Sequence, residues 1–257
     1  MTDDGPSRRL HETDGTFVQR VRSSTMRIVI LAAGVGSRLG QPFPKPLTQL
    51  ADGRSIMQRQ LDAFSSRLPR VPISIVVGFK KDIIMEAHPT VSYVYNERFG
   101  ETNTSKSLLR GLDQTFDESV LWVNGDVVFD PPLLDTLMPY IEAEQSFVSV
   151  NRASVGDEEV KYDLDGAGRI LHLSKQVDDA LGEAVGINHV AAGDVIALRD
   201  RLEACADDDY FERGIELAIE HDSVSFRPVD VTDTLCIEVD FLEDLERANR
   251  AIEAGSA

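Results

Sequence analysis

Apolar runs and amphipathic segments alternate along most of the chain, starting at Met26. Arg27–Ala33 is apolar at successive positions, the pattern of a strand buried on both faces of a parallel sheet. Ser55–Leu68 carries Ile56, Leu61 and Phe64 on one stripe and predicts a helix. Ile73–Val77 predicts a strand, Lys81–Ala87 a short helix and Val91–Tyr95 a further strand. Thr104–Gln114 predicts a helix with Leu108, Leu109 and Leu112 inward, and Val120–Val123 the next strand. Asp130 is placed to cap a helix that opens on Pro131 and Pro132. This order predicts an α/β fold, a mostly parallel central sheet with helices on both faces.

The second half is less regular. Strands are expected at Phe147–Val150, Glu159–Asp163, Ile170–Leu173, Val185–Ala191, Val224–Val229 and Cys236–Val239, the second and third joined by a turn at Asp165-Gly166. Helices are expected near Asp194–Ala204, at Asp209–Glu220 and at Phe241–Glu253. Residues 1–25 are polar without periodicity and read as a disordered tail. The remainder, 26–257, reads as one catalytic domain with a nucleotide-binding half, 26–128, and an acceptor and second-metal half, 129–257.

Composition narrows the classes. There are 26 basic against 44 acidic side chains, a net charge of −18, which argues against nucleic acid as a partner. The imbalance is local: 16 basic against 14 acidic up to residue 128, and 10 against 30 beyond it. The first half is therefore the one suited to a polyanion. No apolar run approaches the roughly 20 residues of a membrane span, and no secretory segment is evident, so a cytoplasmic location is expected. Cys205 and Cys236 are too few and too isolated for a disulfide framework or a zinc site.

The candidate chemistry follows the first strand. Ala33-Gly34-Val35-Gly36-Ser37-Arg38-Leu39 is a glycine-rich loop whose amides can approach an anion, with Arg38 and then Lys45 supplying full positive charge for a triphosphate. It is not a dinucleotide fingerprint, since Leu39 stands where the third glycine belongs. Nor is it a Walker A loop, since Lys45 lies between Pro44 and Pro46. Ligands of open parallel sheets sit at the carboxyl ends of strands. There lie Asn124-Gly125-Asp126 and Glu238-Val239-Asp240, whose Asp126 and Asp240 suit magnesium. Asp240 is also placed to cap the last helix, and Glu238 faces the same side as Asp240. Asn103 can read a pyrimidine edge or a ribose hydroxyl, or cap the following helix, with Ser107 one turn on. Lys80 ends the Ile73–Val77 strand region and can reach phosphate. Lys161, Lys175 and Glu183 are candidates for the acceptor.

Gly34, Gly36, Arg38, Leu39, Pro44 and Lys45 match the G-x-G-x-R-(L/M)…Pro-Lys signature, and here the chain resembles the nucleotidyltransferases. With Val77-Gly78-Phe79-Lys80, the Asn96…Asn103…Ser107 segment, Gly125-Asp126, Gly182–Ile187 and Glu238–Asp240, it is similar to the cytidylyltransferases that activate phosphocholine, 2-aminoethylphosphonate or inositol-1-phosphate. The resemblance implies a GT-A-like, Rossmann-like fold, CTP and a small phosphate or phosphonate acceptor, Arg38 and Lys45 on the triphosphate, and Mg2+ on Asp126 and Asp240. It leaves a homodimer open. Two features depart from related patterns. The spacer Gly40-Gln41-Pro42-Phe43 is shorter than in sugar-1-phosphate enzymes, and Cys236-Ile237 stand where an aromatic for a quaternary ammonium is often found. The rival expectations are a sugar-1-phosphate nucleotidylyltransferase using UTP or dTTP, and a nucleotide-sensing regulatory domain.

Overall fold

The computed structural model describes residues 25–113, 115, 117–153, 155–156 and 159–255; the expected tail, 1–25, falls outside them except for Thr25. Its spine is β1 (Met26–Ala32), the apolar run after residue 25. β2 (Ile73–Val77) and β4 (Ser119–Asn124) pair with it in parallel on either side, and β3 (Ser92–Tyr95) extends the β2 edge in parallel. β9 (Gly182–Val190) runs antiparallel to β4, β6 (Phe147–Asn151) antiparallel to β9, and β10 (Arg227–Asp230) parallel to β6. The strand order is β10-β6-β9-β4-β1-β2-β3, so only β9 on this path opposes the rest. β7 (Lys161–Leu164) and β8 (Ile170–Ser174) form a hairpin on the start of β9.

Alternating residues of β1 feed two cores, as the pleat requires. Ile28 and Ile30 face α1 (Ile56–Arg67) and α4 (Pro131–Glu142) through Phe64 and Leu133. Val29 and Leu31 face α3 (Thr104–Leu112), α5 (Val195–Ala204) and α6 (Phe211–Asp222) through Leu108, Leu198 and Phe211. α2 (Lys81–Ala87) follows β2, and no described helix is long and apolar enough to cross a membrane.

Three expectations change. The strand expected at Val185–Ala191 begins at Gly182. The run Cys236–Val239 does not join the main sheet. Its strand β11 (Cys236–Glu238) pairs antiparallel with β5 (Val127–Phe129), a short strand that the turn-like Asn124-Gly125-Asp126 hid from sequence reading. Finally, Asp130 precedes α4 without a side-chain cap bond. Prolines at the first positions remove amides that a cap would serve, and its carboxylate instead accepts from Arg59 of α1. α7 (Leu242–Gly255) covers the β5–β11 ribbon, with Ala248 and Ile252 against Val128 and Val239.

Candidate active site

β1 lies between β2, to which the chain crosses next, and β4, to which it returns, so a crevice opens at their carboxyl ends. The glycine loop leaves β1 there, held from both sides. The Phe79 amide donates to Ala33 O at 3.0 Å and the Gly125 amide to Leu31 O at 2.8 Å. Gly36 has φ +61°, and a Cβ on it would lie 2.8 Å from the Lys45 Cβ. The glycine is therefore required twice, for its backbone angle and for the packing of Lys45. Gly125 is similarly pressed, its missing Cβ 2.8 Å from Leu31 O.

The β5–β11 ribbon brings the two aspartates together. β5 leaves Asp126, β11 returns antiparallel, and the Val239 amide donates to Asp126 O at 3.0 Å, so Asp240 emerges beside Asp126. Between them stands Lys45, 8% exposed, whose Nζ donates to Asp126 Oδ2 at 2.7 Å and to Asp240 Oδ1 at 2.5 Å. Burial alone would lower the Lys45 ammonium, but the two carboxylates outweigh it and hold its pKa above the usual value. Arg38 Nη1 donates to Asp240 Oδ2 at 3.1 Å, and its guanidinium lies 5.7 Å from the Phe241 ring centroid. Asp240 therefore makes no helix cap. The Asp240 and Phe241 amides are taken by Asp244, at 3.1 and 2.9 Å, leaving its own carboxylate to the cations.

A divalent cation fits this group. The donors are oxygens, and Asp126 Oδ1 is buried with no hydrogen-bond partner among the described residues. No described cluster of three or more His, Cys, Asp or Glu forms a metal cage. Two carboxylates plus phosphate oxygens is the usual way magnesium is held at a nucleotide. Glu238, half-buried, accepts from Asn124 Nδ2 at 3.5 Å. Burial first, then Asp126, Asp240 and Glu159, push its carboxyl well up, against the pull of Lys45.

A cavity of about 240 Å³ joins the loop to the second half of the chain. Gly34, Gly36, Arg38, Lys45, Asp126 and Asp240 line it, together with Thr104, Glu159, Lys175, Tyr210, Glu212 and Glu238. Lys175 is thus brought in, its Nζ 5.3 Å from the Tyr210 ring centroid. Lys161 opens β7 opposite Ser174 and Glu183 and lines neither this cavity nor its neighbour. Glu183 accepts the Gly156 amide at 2.9 Å and lines that second cavity of about 280 Å³. Asn103 caps α3, accepting the Thr104 amide at 2.8 Å and donating to Asp208 O at 3.1 Å. Ser107 accepts from Asn96 at 3.2 Å, and neither Asn103 nor Ser107 lines the cavity. Lys80 donates to Pro42 O, tying the end of β2 to the glycine loop. Ala33 is buried behind the loop, and Ser37 opens a 3-10 turn, its side chain outside the described ones.

Two features escaped sequence reading. Gln60 of α1, fully buried, donates to Asn124 O at 2.9 Å and Val127 O at 2.8 Å, fixing the turn that presents Asp126. Its polar type on the inner stripe of a helix was the available signal. Glu212 is 8% exposed, its Oε2 has no hydrogen-bond partner among the described residues, and burial drives its carboxyl up to about 7. A first-turn acid gains about 0.3–1 kcal/mol from the helix dipole, less than the roughly 1–3 kcal/mol that an unsatisfied buried polar group costs. Helix stability alone does not explain Glu212. It is nonetheless held firmly: the neighbouring Phe211 ring stands edge-on to Trp122 at 5.7 Å, and the Phe211 amide donates to Thr104 Oγ1 at 3.1 Å.

The chain is similar to several known proteins. The CMP-5'-(3-aminopropyl)phosphonate synthase of Streptomyces rubellomurinus is 28% identical over 249 residues, covering 87% of this chain and 38% of that protein. The bifunctional protein GlmU of Cupriavidus metallidurans is 25% identical, covering 90% and 54%. The chain thus spans well under two thirds of these relatives. Among solved structures, the inositol-1-phosphate CTP transferase of T. maritima superimposes with a TM-score of 0.70 at 16% identity, covering 88% of this chain and 96% of that one. The CTP:phosphocholine cytidylyltransferase of Streptococcus pneumoniae does so at 0.68 and 16%, covering 89% and 99%; at such identities the likeness shows the fold. Residues 28–224 match the family described as the MobA-like NTP transferase domain. The chain belongs to that family, and it is an enzyme of the nucleotidyltransferase type.

Proposed function

We propose that the enzyme transfers CMP from CTP to an oxygen of a small phosphate or phosphonate, releasing pyrophosphate. One observation carries the reading. Lys45 is clasped by Asp126 and Asp240 beside the Gly34–Gly36 loop, which unites cations for a triphosphate with oxygen ligands for a metal. CTP as donor, and a phosphate or phosphonate as acceptor, rest on the likeness to the Streptomyces phosphonate synthase and to the two CTP-dependent structures.

In this reading the loop amides at Gly34 and Gly36 run along the triphosphate. The acceptor oxygen is already largely anionic near neutral pH, since the second pKa of a phosphate lies near 6. No general base is needed; the obstacle is repulsion between two anions. Arg38 and Lys45 offset it and stabilise the charge that grows on departing pyrophosphate. Asp126 and Asp240 would hold magnesium, which when bound supplies charge neutralisation and alignment at the α-phosphate. Gln60 and the β5–β11 ribbon keep the two carboxylates in place.

The test is pyrophosphate release with magnesium, pairing CTP, UTP, GTP, ATP and dTTP with a panel of head-group phosphates, phosphonates and hexose-1-phosphates. Release with CTP and a head-group acid is expected. Release only with UTP or dTTP and a hexose-1-phosphate would replace this reading by a sugar nucleotidylyltransferase. Nucleotide binding without release from any pair would point to a sensing role.

A further inference from the structure

Arg38 lines the cavity with its side chain half exposed. A long side chain that stays partly in water keeps much of its rotamer freedom unless partners restrain it. Among the described residues Arg38 has two. Asp240 Oδ2 accepts from Nη1 at 3.1 Å, and the ring of Phe241, the next residue, lies under the guanidinium carbon with its centroid 5.7 Å away. The contact is built into the fold. Leu39, next to Arg38, and Val239, next to Asp240, are buried in one apolar cluster, which fixes the loop against the end of the β5–β11 ribbon. The Phe241 backbone is tied at both ends: its amide donates to Asp244 Oδ2 at 2.9 Å, and its carbonyl accepts the Leu245 amide at 3.2 Å. The ring itself is 47% exposed, does not line the cavity and belongs to none of the apolar clusters among the described residues. The packing of α7 rests on Ala248 and Ile252 instead.

We propose that Phe241 is a positioning residue for the transfer: its ring keeps the Arg38 guanidinium aimed at the triphosphate when Asp240 is committed elsewhere. The inference rests on the nucleotidyl-transfer reading above and deepens it. Asp240 has one negative charge and two oxygens. Oδ1 already serves Lys45 at 2.5 Å, and in that reading the same carboxylate also serves a divalent cation. Sharing one charge among three cations weakens its hold on Arg38. A ring is free of this competition. It attracts the guanidinium through its electron-rich face, supplies no lone pair and is no ligand for a hard cation. The N–H donors of Arg38 therefore stay available for phosphate oxygens, which a guanidinium takes in pairs. Asp240 and Phe241 act in turn: the carboxylate sets Arg38 in the free enzyme, and the ring keeps it there once the triphosphate is bound. A leucine at position 241 would supply apolar bulk without the attraction, which separates aromatic character from size.

Calorimetric titration of the intact chain with inorganic tripolyphosphate and magnesium tests this without turnover, base or acceptor. Phe241→Leu is expected to weaken binding about two- to fivefold, the range of one exposed cation–π contact, with the urea midpoint unchanged. Phe241→Tyr, which keeps an aromatic face, should bind as the wild type does. In an Arg38→Met background Lys45 and the loop amides still hold the probe. There Phe241→Leu should have no further effect, since the ring acts only through Arg38. Wild-type binding in Phe241→Leu, an equal loss in Phe241→Tyr, a loss that persists in Arg38→Met, or a loss that comes with a lower urea midpoint overturns the proposal. So does a wild type that fails to bind the probe. Tripolyphosphate binding with pyrophosphate release confined to UTP or dTTP would overturn the cytidylyl reading instead, and leaves the Phe241 assignment standing.

Discussion

Gly36 and Lys45 depend on one another. The positive φ of Gly36 and the 2.8 Å approach of its hypothetical Cβ to the Lys45 Cβ mean that a methyl group there must strain the loop and push the lysine stem aside. Gly36→Ala is expected to cost about 1–3 kcal/mol of stability and to reduce kcat/KM about tenfold or more, read by urea denaturation and pyrophosphate release. Lys45→Ala removes the cation shared by Asp126 and Asp240. Turnover should fall by about two to three orders of magnitude, the range found when one preorganised electrostatic group is deleted. Circular dichroism should show the fold retained. Near-normal turnover in Lys45→Ala would contradict its assignment to the triphosphate.

The elements around the site act through backbone contacts rather than long side chains. The β5–β11 ribbon converts two aspartates more than a hundred residues apart in sequence into neighbours, because antiparallel pairing of three residues sets where each strand ends. α1 secures the same turn through Gln60. Gln60→Leu leaves two carbonyls, Asn124 O and Val127 O, without their side-chain donor in a buried place. A loss of at least about 2 kcal/mol is expected, together with lowered kcat. Gln60→Glu should fare no better, since an ionised carboxylate cannot donate. A Gln60→Leu variant with wild-type urea midpoint and kcat would show that the turn stands without α1.

For the molecule as a whole, Glu212 ties fold stability to pH. Its carboxyl is raised to about 7 by burial, with Glu216 adding and Lys175 and its own amide opposing. A raised folded-state pKa favours the protonated form. The stabilising contribution is therefore complete below the ordinary carboxyl value near 4.5 and is lost as pH rises to about 7. Glu212→Gln should accordingly match the wild type near pH 4 and exceed it above pH 7, by at most about 3 kcal/mol, in urea melts across that range. The charge imbalance has a related reading: the acidic second half supplies Glu159, Glu212 and Glu238 to the cavity, and the more balanced first half supplies Arg38 and Lys45.

The apolar periodicities were enough to specify the alternating strands and helices from Met26 to the last helix, short β5 excepted, because a strand buried on both faces and an amphipathic helix have different repeats. The glycine loop with Arg38 and Lys45, and the strand-end aspartates, were legible because backbone freedom, cationic charge and carboxylates are written directly in residue type. Sequence did not reveal the reversed strand β9, the ribbon that joins Asp126 to Asp240, or the donor role of Gln60, since pairing partners are chosen by three-dimensional closure and not by local pattern. It also gave Asp240 a capping role, which in the folded protein passes to Asp244, because Lys45 and Arg38 draw the Asp240 carboxylate away. Glu212 read as an ordinary first-turn acid. Only the packing of α6 against Trp122 shows that it is buried, with Oε2 lacking a hydrogen-bond partner among the described residues.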